Sequence, residues 1–175
     1  MSGTPTIVAF ALLIPLAVLI TYYDVRYRRI PNAFVLAALV GGLLLNASAN
    51  GLEGILTSLG GCALAFGVMF MLHVFGAMGA GDVKLFAGIG AIIGSGLVLP
   101  TFAVIALTGG LLAVYTMVRA GAVRATLWRV VQIFYGLLPG WPMPRFAVPD
   151  DKRHTIPYGV AITFGSIVSL CIFRA

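Results

Sequence analysis

Two aspartates, Asp24 and Asp82, are the residues best suited to chemistry in this chain, because they are the only acids that lie against its long apolar segments. A charged side chain at the centre of a bilayer costs roughly 2.5–3.5 kcal/mol on insertion scales, so such residues usually have a function. The remaining acids lie in polar or Pro-rich stretches: Glu53, Asp150 and Asp151. Two carboxylates that share one proton can activate a water and protonate a peptide oxygen, which is the chemistry that peptide hydrolysis requires.

The composition indicates an integral membrane protein. Of its 175 residues, 61% are hydrophobic and 9% are charged, which is outside the range of ordinary soluble domains. The net charge of +6 comes from basic residues at the ends of apolar runs, so it favours orientation in a membrane over nucleic-acid binding. Cys62 and Cys171 form no CxxC pair, and His73 and His154 have no ligand partners at metal-binding spacing. We therefore predict no metal and no cofactor.

The uncharged runs predict an all-α membrane protein, since each is close to the roughly 20 residues that cross a bilayer. The run from Leu85 to Val118 is too long for one span and slightly short for two, and Gly94, Ser95, Gly96 and Pro100 supply a turn near its middle. The stretch before Asp24 carries no charge, so it is a retained span and not a signal peptide. We predict six spans in a single domain covering 1–175, at about 5–23, 33–49, 55–75, 83–97, 100–118 and 156–173.

The positions of the basic residues support six spans. With six, every Lys and Arg except Arg174 falls on one side, whereas five spans would remove this asymmetry. By the positive-inside rule we expect both termini outside and the basic loops in the cytoplasm. Asp24 and Asp82 then share the cytoplasmic face. Between Arg119 and Tyr135, basic residues alternate with apolar ones, which predicts an amphipathic helix in the lipid interface.

Short motifs surround both aspartates. Gly79 and Gly81 come shortly before Asp82. Because glycine has no side chain, the backbone next to Asp82 can adopt conformations that are closed to other residues. We expect Asp24 at the C-terminal end of helix 1 and Asp82 at the N-terminal end of helix 4. The helix dipoles would then favour charge on Asp82 and the shared proton on Asp24. Small residues spaced by four, such as Gly61 with Ala65, predict close helix packing.

With these motifs the chain resembles the type IV prepilin peptidases, membrane aspartyl proteases of the GxGD type. The resemblance rests on three segments: Asp24 with the following arginines and Ile30-Pro31-Asn32, Gly79-Ala80-Gly81-Asp82 with Lys84-Leu85, and Ile156-Pro157-Tyr158-Gly159. It implies that Asp24 and Asp82 are catalytic, supported by Gly79, Gly81 and Lys84. It also implies removal of the basic leader of a prepilin, after a glycine, at the cytoplasmic face. Candidate substrate contacts are Pro157, Tyr158 and Gly159.

The compact sequence resembles the Flp-pilus (tight-adherence) branch of that family. Longer members carry a cytoplasmic domain with two CxxC pairs and an N-methyltransferase activity, for which this sequence has no counterpart. The resemblance therefore implies a Flp-type prepilin or pseudopilin as the substrate partner.

Structural explanations and other functions remain open for these residues. Asp24 could pair with Arg26 or Arg28, Asp82 could cap a helix, and Lys84 could simply extend to the membrane surface. Pro157 could do no more than begin the last helix. At the level of function, the alternatives are a proton- or cation-coupled transporter that uses the aspartate pair, and a catalytically silent pilus assembly factor. No inverted repeat is visible, which argues against the transporter.

Overall fold

The computed structural model describes residues 3–75, 78–119, 121 and 158–174, and these residues form helices without any strand. The helices are α1 (Gly3–Tyr27), α2 (Asn32–Val74), α3 (Ala80–Ile93), α4 (Ser95–Arg119) and α5 (Tyr158–Arg174). The expected all-helical fold is confirmed. The predicted interfacial helix between Arg119 and Tyr135 lies almost entirely outside the described residues.

Three of these helices are long and apolar enough to cross a membrane: α1 from Thr6, α2 and α4. Large apolar side chains on these helices are exposed, as in Leu52 at 72% and Leu107 at 69%, whereas Ser58 and Thr101 are fully buried. Helices surrounded by lipid are expected to expose apolar groups and to bury hydroxyl groups against one another, as seen here. The arrangement of six spans remains a prediction.

Helix α2 is two helical arms, because its backbone leaves helical geometry at Gly51, with φ 58° and ψ −131°. Beyond this point the chain doubles back, since Asn46 on the first arm donates a hydrogen bond of 2.8 Å to Ser58 on the second. Twelve residues of continuous helix would separate these side chains by about 18 Å. The sequence placed a break between residues 49 and 55, and the structure has one there.

The helix break between α3 and α4 falls at Gly94, with φ 78° and ψ 163°, a conformation that is nearly exclusive to glycine. This corrects the predicted boundaries of 83–97 and 100–118, because α4 already begins at Ser95 and Pro100 lies inside it. A helix between packed neighbours tolerates such a proline, since other groups satisfy the freed carbonyl. Helix α2 begins at Asn32, and Pro31 is its N-cap residue.

Small residues bring both arms of α2 against α3. A Cβ on Gly42 would lie 2.6 Å from the Ala91 carbonyl carbon, and one on Gly90 would lie 2.7 Å from the Ala65 Cβ. Gly61 faces the Gly90 backbone, so the predicted close packing of small residues is confirmed. The amide of Asn46, which is 3% exposed, also donates to the Ala91 carbonyl at 2.9 Å.

Two compact units can be distinguished, residues 1–109 with 157–175, and residues 110–156. Within the first unit, α5 packs on α1 and on the first half of α4. Thr163 lies 3.4 Å from Thr21, and Ser169 forms a 2.7 Å hydrogen bond with Thr101. In the second unit the described residues are the end of α4 and Gly121. The prediction of a single domain is not tested by this division.

Candidate active site

Asp24 lies in the last turn of α1 and is only 8% exposed. The helix ends because Arg28 takes the left-handed conformation, with φ 52°, and its N–H donates to the Asp24 carbonyl at 3.0 Å. The positive charge of Arg28 attracts the Asp24 carboxylate. Burial of a carboxylate normally requires such compensation.

A second source of compensation is the first turn of α5. The backbone N–H groups of Gly159 and Val160 interact favourably with the Asp24 carboxylate. Helix N-termini favour anions, because their first amides have no partner in the helix. Neither amide satisfies Oδ2, which is buried and has no hydrogen-bond partner among the described residues. Asp24 therefore retains one acceptor atom for another group.

Gly159 makes this approach of α5 to Asp24 sterically feasible. A Cβ at position 159 would lie 2.7 Å from Oδ2 of Asp24 and 3.0 Å from its Cγ. Real Cβ atoms hardly ever make contacts that short, and Gly159 itself is buried. Any side chain at position 159 would push the carboxyl group or the helix away.

Asp82 lies three residues after the N-cap of α3, which is Gly79. It is therefore not the N-cap itself; its N–H donates to the Gly79 carbonyl at 3.1 Å, while the Gly79 N–H interacts with its carboxylate. Asp82 lies outside the three candidate spans. Burial, and after it the charge of Asp24, raises the pKa of Asp82 from 3.8 to about 6, against a smaller lowering by the Gly79 N–H.

The two aspartates thus interact electrostatically, and the first turn of α5 contacts Asp24 and interacts electrostatically with Asp82. Tyr158 interacts with the Asp82 carboxylate, while its neighbour Gly159 contacts Asp24. Three helix ends that are far apart in sequence meet at this point: the C-terminus of α1 and the N-termini of α3 and α5. Asp24 is buried and Asp82 is half-buried, and carboxyl groups whose charges interact titrate as a pair.

The convergence of α5 on Asp24 alters the expectation about the shared proton. The sequence argument placed the proton on Asp24, because only the dipoles of α1 and α3 could be considered. In the structure, burial disfavours negative charge on Asp24, whereas two α5 amides and Arg28 act against this effect and favour the charge. Asp82 has one such contact, the Gly79 N–H, and its raised pKa means that it holds a proton more readily than a free carboxyl group. These contacts favour the opposite distribution of charge.

The α1–α2 connection forms one border of the site. The ring of Tyr23 lies edge-on to Phe34 with centroids 5.2 Å apart, which joins the end of α1 to the start of α2. Ile30 approaches Gly81, where an added Cβ would be 4.0 Å from its side chain. An open groove is lined by Tyr23, Tyr27, Arg29, Ile30, Pro31 and Asn32.

The other predicted site residues have different positions. Gly79, the N-cap of α3, and Gly81 in its first turn both precede Asp82, and Lys84 in the next turn is exposed. Pro157 lies outside the described residues. No group of three His, Cys, Asp or Glu residues able to hold a metal occurs in the described part of the chain.

Sequence reasoning missed two contributors. The Val160 amide has no sequence signal of its own, since any residue there would supply the same N–H. His73 was considered only as a metal ligand and a span-end residue, yet its Nδ1 lies 2.8 Å from the carbonyl oxygen of Met78, just before the glycines.

Comparison with known protein families supports an enzymatic role. A family model described as the type IV leader peptidase family matches residues 11–114, more than half of the chain. The chain belongs to the type IV leader peptidase family. Membership confirms the predicted family and indicates a peptidase, and the matched region contains both Asp24 and Asp82 but ends before α5. Comparison with curated proteins and with solved structures gave no significant match.

Proposed function

We propose that this type IV leader peptidase removes the basic leader of a Flp-type prepilin or pseudopilin, with Asp24 and Asp82 as its catalytic pair. The observation that carries the proposal is the electrostatic interaction of the buried Asp24 with the half-buried Asp82 at the meeting point of three helix ends. Both groups also lie in the region that matches the family. Aspartyl proteases require two interacting carboxyl groups with separated pKa values and no metal.

In the proposed reaction Asp24 is the general base. The amides of Gly159 and Val160 and the charge of Arg28 support an ionised Asp24. Its carboxylate takes a proton from a water, whose oxygen attacks the scissile carbonyl carbon while Asp82 donates its proton to the carbonyl oxygen. The tetrahedral intermediate then collapses: the C–N bond breaks, Asp82 takes back the proton from the hydroxyl group, and Asp24 delivers its proton to the leaving amine.

The residues around the pair have supporting roles in this proposal. Gly79 and Gly81 leave room for an extended peptide near Asp82, and Lys84 is close in sequence to that carboxyl group. Pro157, Tyr158 and Gly159 are the proposed contacts of the substrate backbone. The proposed location is a bacterial inner membrane, with the site at the cytoplasmic face and both termini outside, in agreement with the distribution of Lys and Arg.

Coexpression with a Flp-type prepilin tests the proposed function. Leader removal is followed on a gel for the wild type, Asp24→Asn and Asp82→Asn, with Glu53→Gln as the matched control because Glu53 is an exposed acid. We expect cleavage by the wild type and the control, and a loss of at least about 1000-fold in each aspartate variant. Cleavage that survives either aspartate substitution would contradict the catalytic pair. A wild type that never cleaves, though it is folded, would favour the silent assembly factor.

The location of the proton is tested by infrared spectroscopy on the purified enzyme. A protonated carboxyl group has a C=O band that ionised carboxylates lack. We expect Asp82→Asn to remove this band and Asp24→Asn to leave a carboxyl band. The reverse pattern would return the proton to Asp24 and exchange the two roles.

A further inference from the structure

His73 connects the end of α2 to the segment that leads into the proposed site. It lies in the last turn of α2, and its ring Nδ1 is 2.8 Å from the Met78 carbonyl oxygen. The residue after Met78 is Gly79, whose carbonyl oxygen accepts the N–H groups of Asp82 and Val83 at 3.1 and 3.4 Å. The His73 hydrogen bond to Met78 and the hydrogen bonds to the adjacent Gly79 therefore link the end of α2 to the first turn of α3.

The acceptor determines which ring nitrogen carries the hydrogen. A carbonyl oxygen only accepts hydrogen bonds, so Nδ1 of His73 is the donor. The neutral Nδ1–H tautomer and the doubly protonated ring both carry this hydrogen. The ring also lies beside Phe70, with centroids 6.3 Å apart, which restricts its orientation.

The segment held by this hydrogen bond contains two glycines, which add no side-chain contacts to hold it in place. Gly79 and Gly81 have no side chains to pack, and Gly79 is exposed. Asp82 follows them directly, so the position of its carboxyl group depends on how this segment is held. In peptide hydrolysis, a displacement of about 1 Å in a reacting group can cost about 100-fold in rate.

We propose that His73 is a positioning residue of the peptidase reaction, which places Asp82 through its hydrogen bond to the Met78 carbonyl. The inference rests on the proposed function. His73 touches neither the substrate nor the reacting atoms. It should therefore affect the rate of the chemical step far more than the binding of the prepilin.

The test uses three substitutions that separate the hydrogen bond from the ring. The side-chain amide of Asn places its NH2 group near the position of Nδ1, whereas that of Gln places it near Nε2, and Ala offers no donor. We expect His73→Ala and His73→Gln to lower kcat for cleavage of a purified Flp-type prepilin by about 10-fold or more, with KM changed less than about 3-fold. His73→Asn should recover most of the lost kcat.

Other outcomes would overturn the inference. An equal loss of kcat in all three variants, or no loss in His73→Ala, means that the hydrogen bond does not position Asp82. A loss that follows a lowered melting temperature in detergent indicates a purely structural role. Wild type and Asp82→Asn are assayed in parallel: an inactive wild type or an active Asp82→Asn contradicts the proposed function itself, whereas a normal His73→Ala beside an inactive Asp82→Asn contradicts this inference alone.

Discussion

At the scale of single residues, Gly159 controls how closely the α5 backbone approaches Asp24. We expect Gly159→Ala to lower prepilin cleavage by about 100-fold, because its Cβ would lie 2.7 Å from Oδ2 of Asp24 and displace the carboxyl group or the helix. Gly165→Ala is the matched control, since its Cβ would meet Ile105 on α4 at 2.8 Å, away from the aspartates. Cleavage assays of both variants at equal concentrations of folded protein would separate displacement of Asp24 from a general disturbance of α5 packing. Equal losses of cleavage would mean that the packing of α5 is responsible.

The raised pKa of Asp82 predicts a cost in stability that depends on pH. In the folded protein the pKa of Asp82 is about 6, whereas 3.8 is its ordinary value, so the folded state holds this proton more tightly. Below pH 3.8 Asp82 is protonated in both the folded and the unfolded protein, and the cost is absent. The cost increases as the pH rises from 3.8 to about 6, and it is constant at higher pH. We expect Asp82→Asn to raise the melting temperature in detergent at neutral pH, and to lose this advantage below about pH 4. A gain independent of pH would show that ionisation of Asp82 does not destabilise the protein.

Rare charge in apolar sequence identified Asp24 and Asp82 without any structure, because burying a carboxyl group is costly enough to need a reason. Which one holds the proton could not be predicted in the same way. The amides that favour charge on Asp24 belong to α5, far away in sequence. His73 was passed over for a similar reason, since its partner is a backbone carbonyl, which every residue has.

At the scale of helices, the break between α3 and α4 depends on Gly94. We expect Gly94→Ala to lower the free energy of unfolding by about 1–3 kcal/mol, because the φ of 78° strains any residue with a Cβ. The added Cβ would also lie 2.8 Å from Cγ2 of Thr57. Gly96→Ala is the control, as no atom lies within 4 Å of its Cβ position, and it should change stability by less than about 0.5 kcal/mol. The free energy of unfolding of both variants can be measured by adding SDS to the protein in mild detergent micelles. Equal effects of the two substitutions would contradict the assignment of strain to Gly94.

Apolar run length predicted most helices well, but the boundary between α3 and α4 was wrong by several residues. In a sequence, proline is the stronger signal of a helix end, yet Pro100 lies inside α4. The positive φ at Gly94 ends α3 instead. A sequence shows where glycine occurs but not which glycine adopts a left-handed backbone. That choice depends on packing, here of α2 against α3 around Asn46 and Ser58.

For the whole molecule, the proposed orientation has a direct test. With Cys62 and Cys171 replaced by Ser, single cysteines are introduced as Arg29→Cys and Glu53→Cys, both at exposed positions. A membrane-impermeant maleimide should label Glu53→Cys on intact cells and Arg29→Cys only after lysis, because the first arm of α2 would cross the membrane between them and Glu53 lies just after the turn at Gly51. Labelling of both from the same side would contradict two membrane crossings by α2, and the reverse pattern would invert the proposed topology.

The involvement of α5 also has a consequence for the order of synthesis. Asp24 leaves the ribosome early, but Tyr158, Gly159 and Val160, which interact with the two aspartates, are translated much later. A nascent chain that has inserted only α1 to α4 holds both carboxyl groups without the amides that favour charge on Asp24. In the proposed peptidase, proteolytic competence therefore arises only after α5 has been inserted, so unfinished chains in the membrane would leave neighbouring proteins intact.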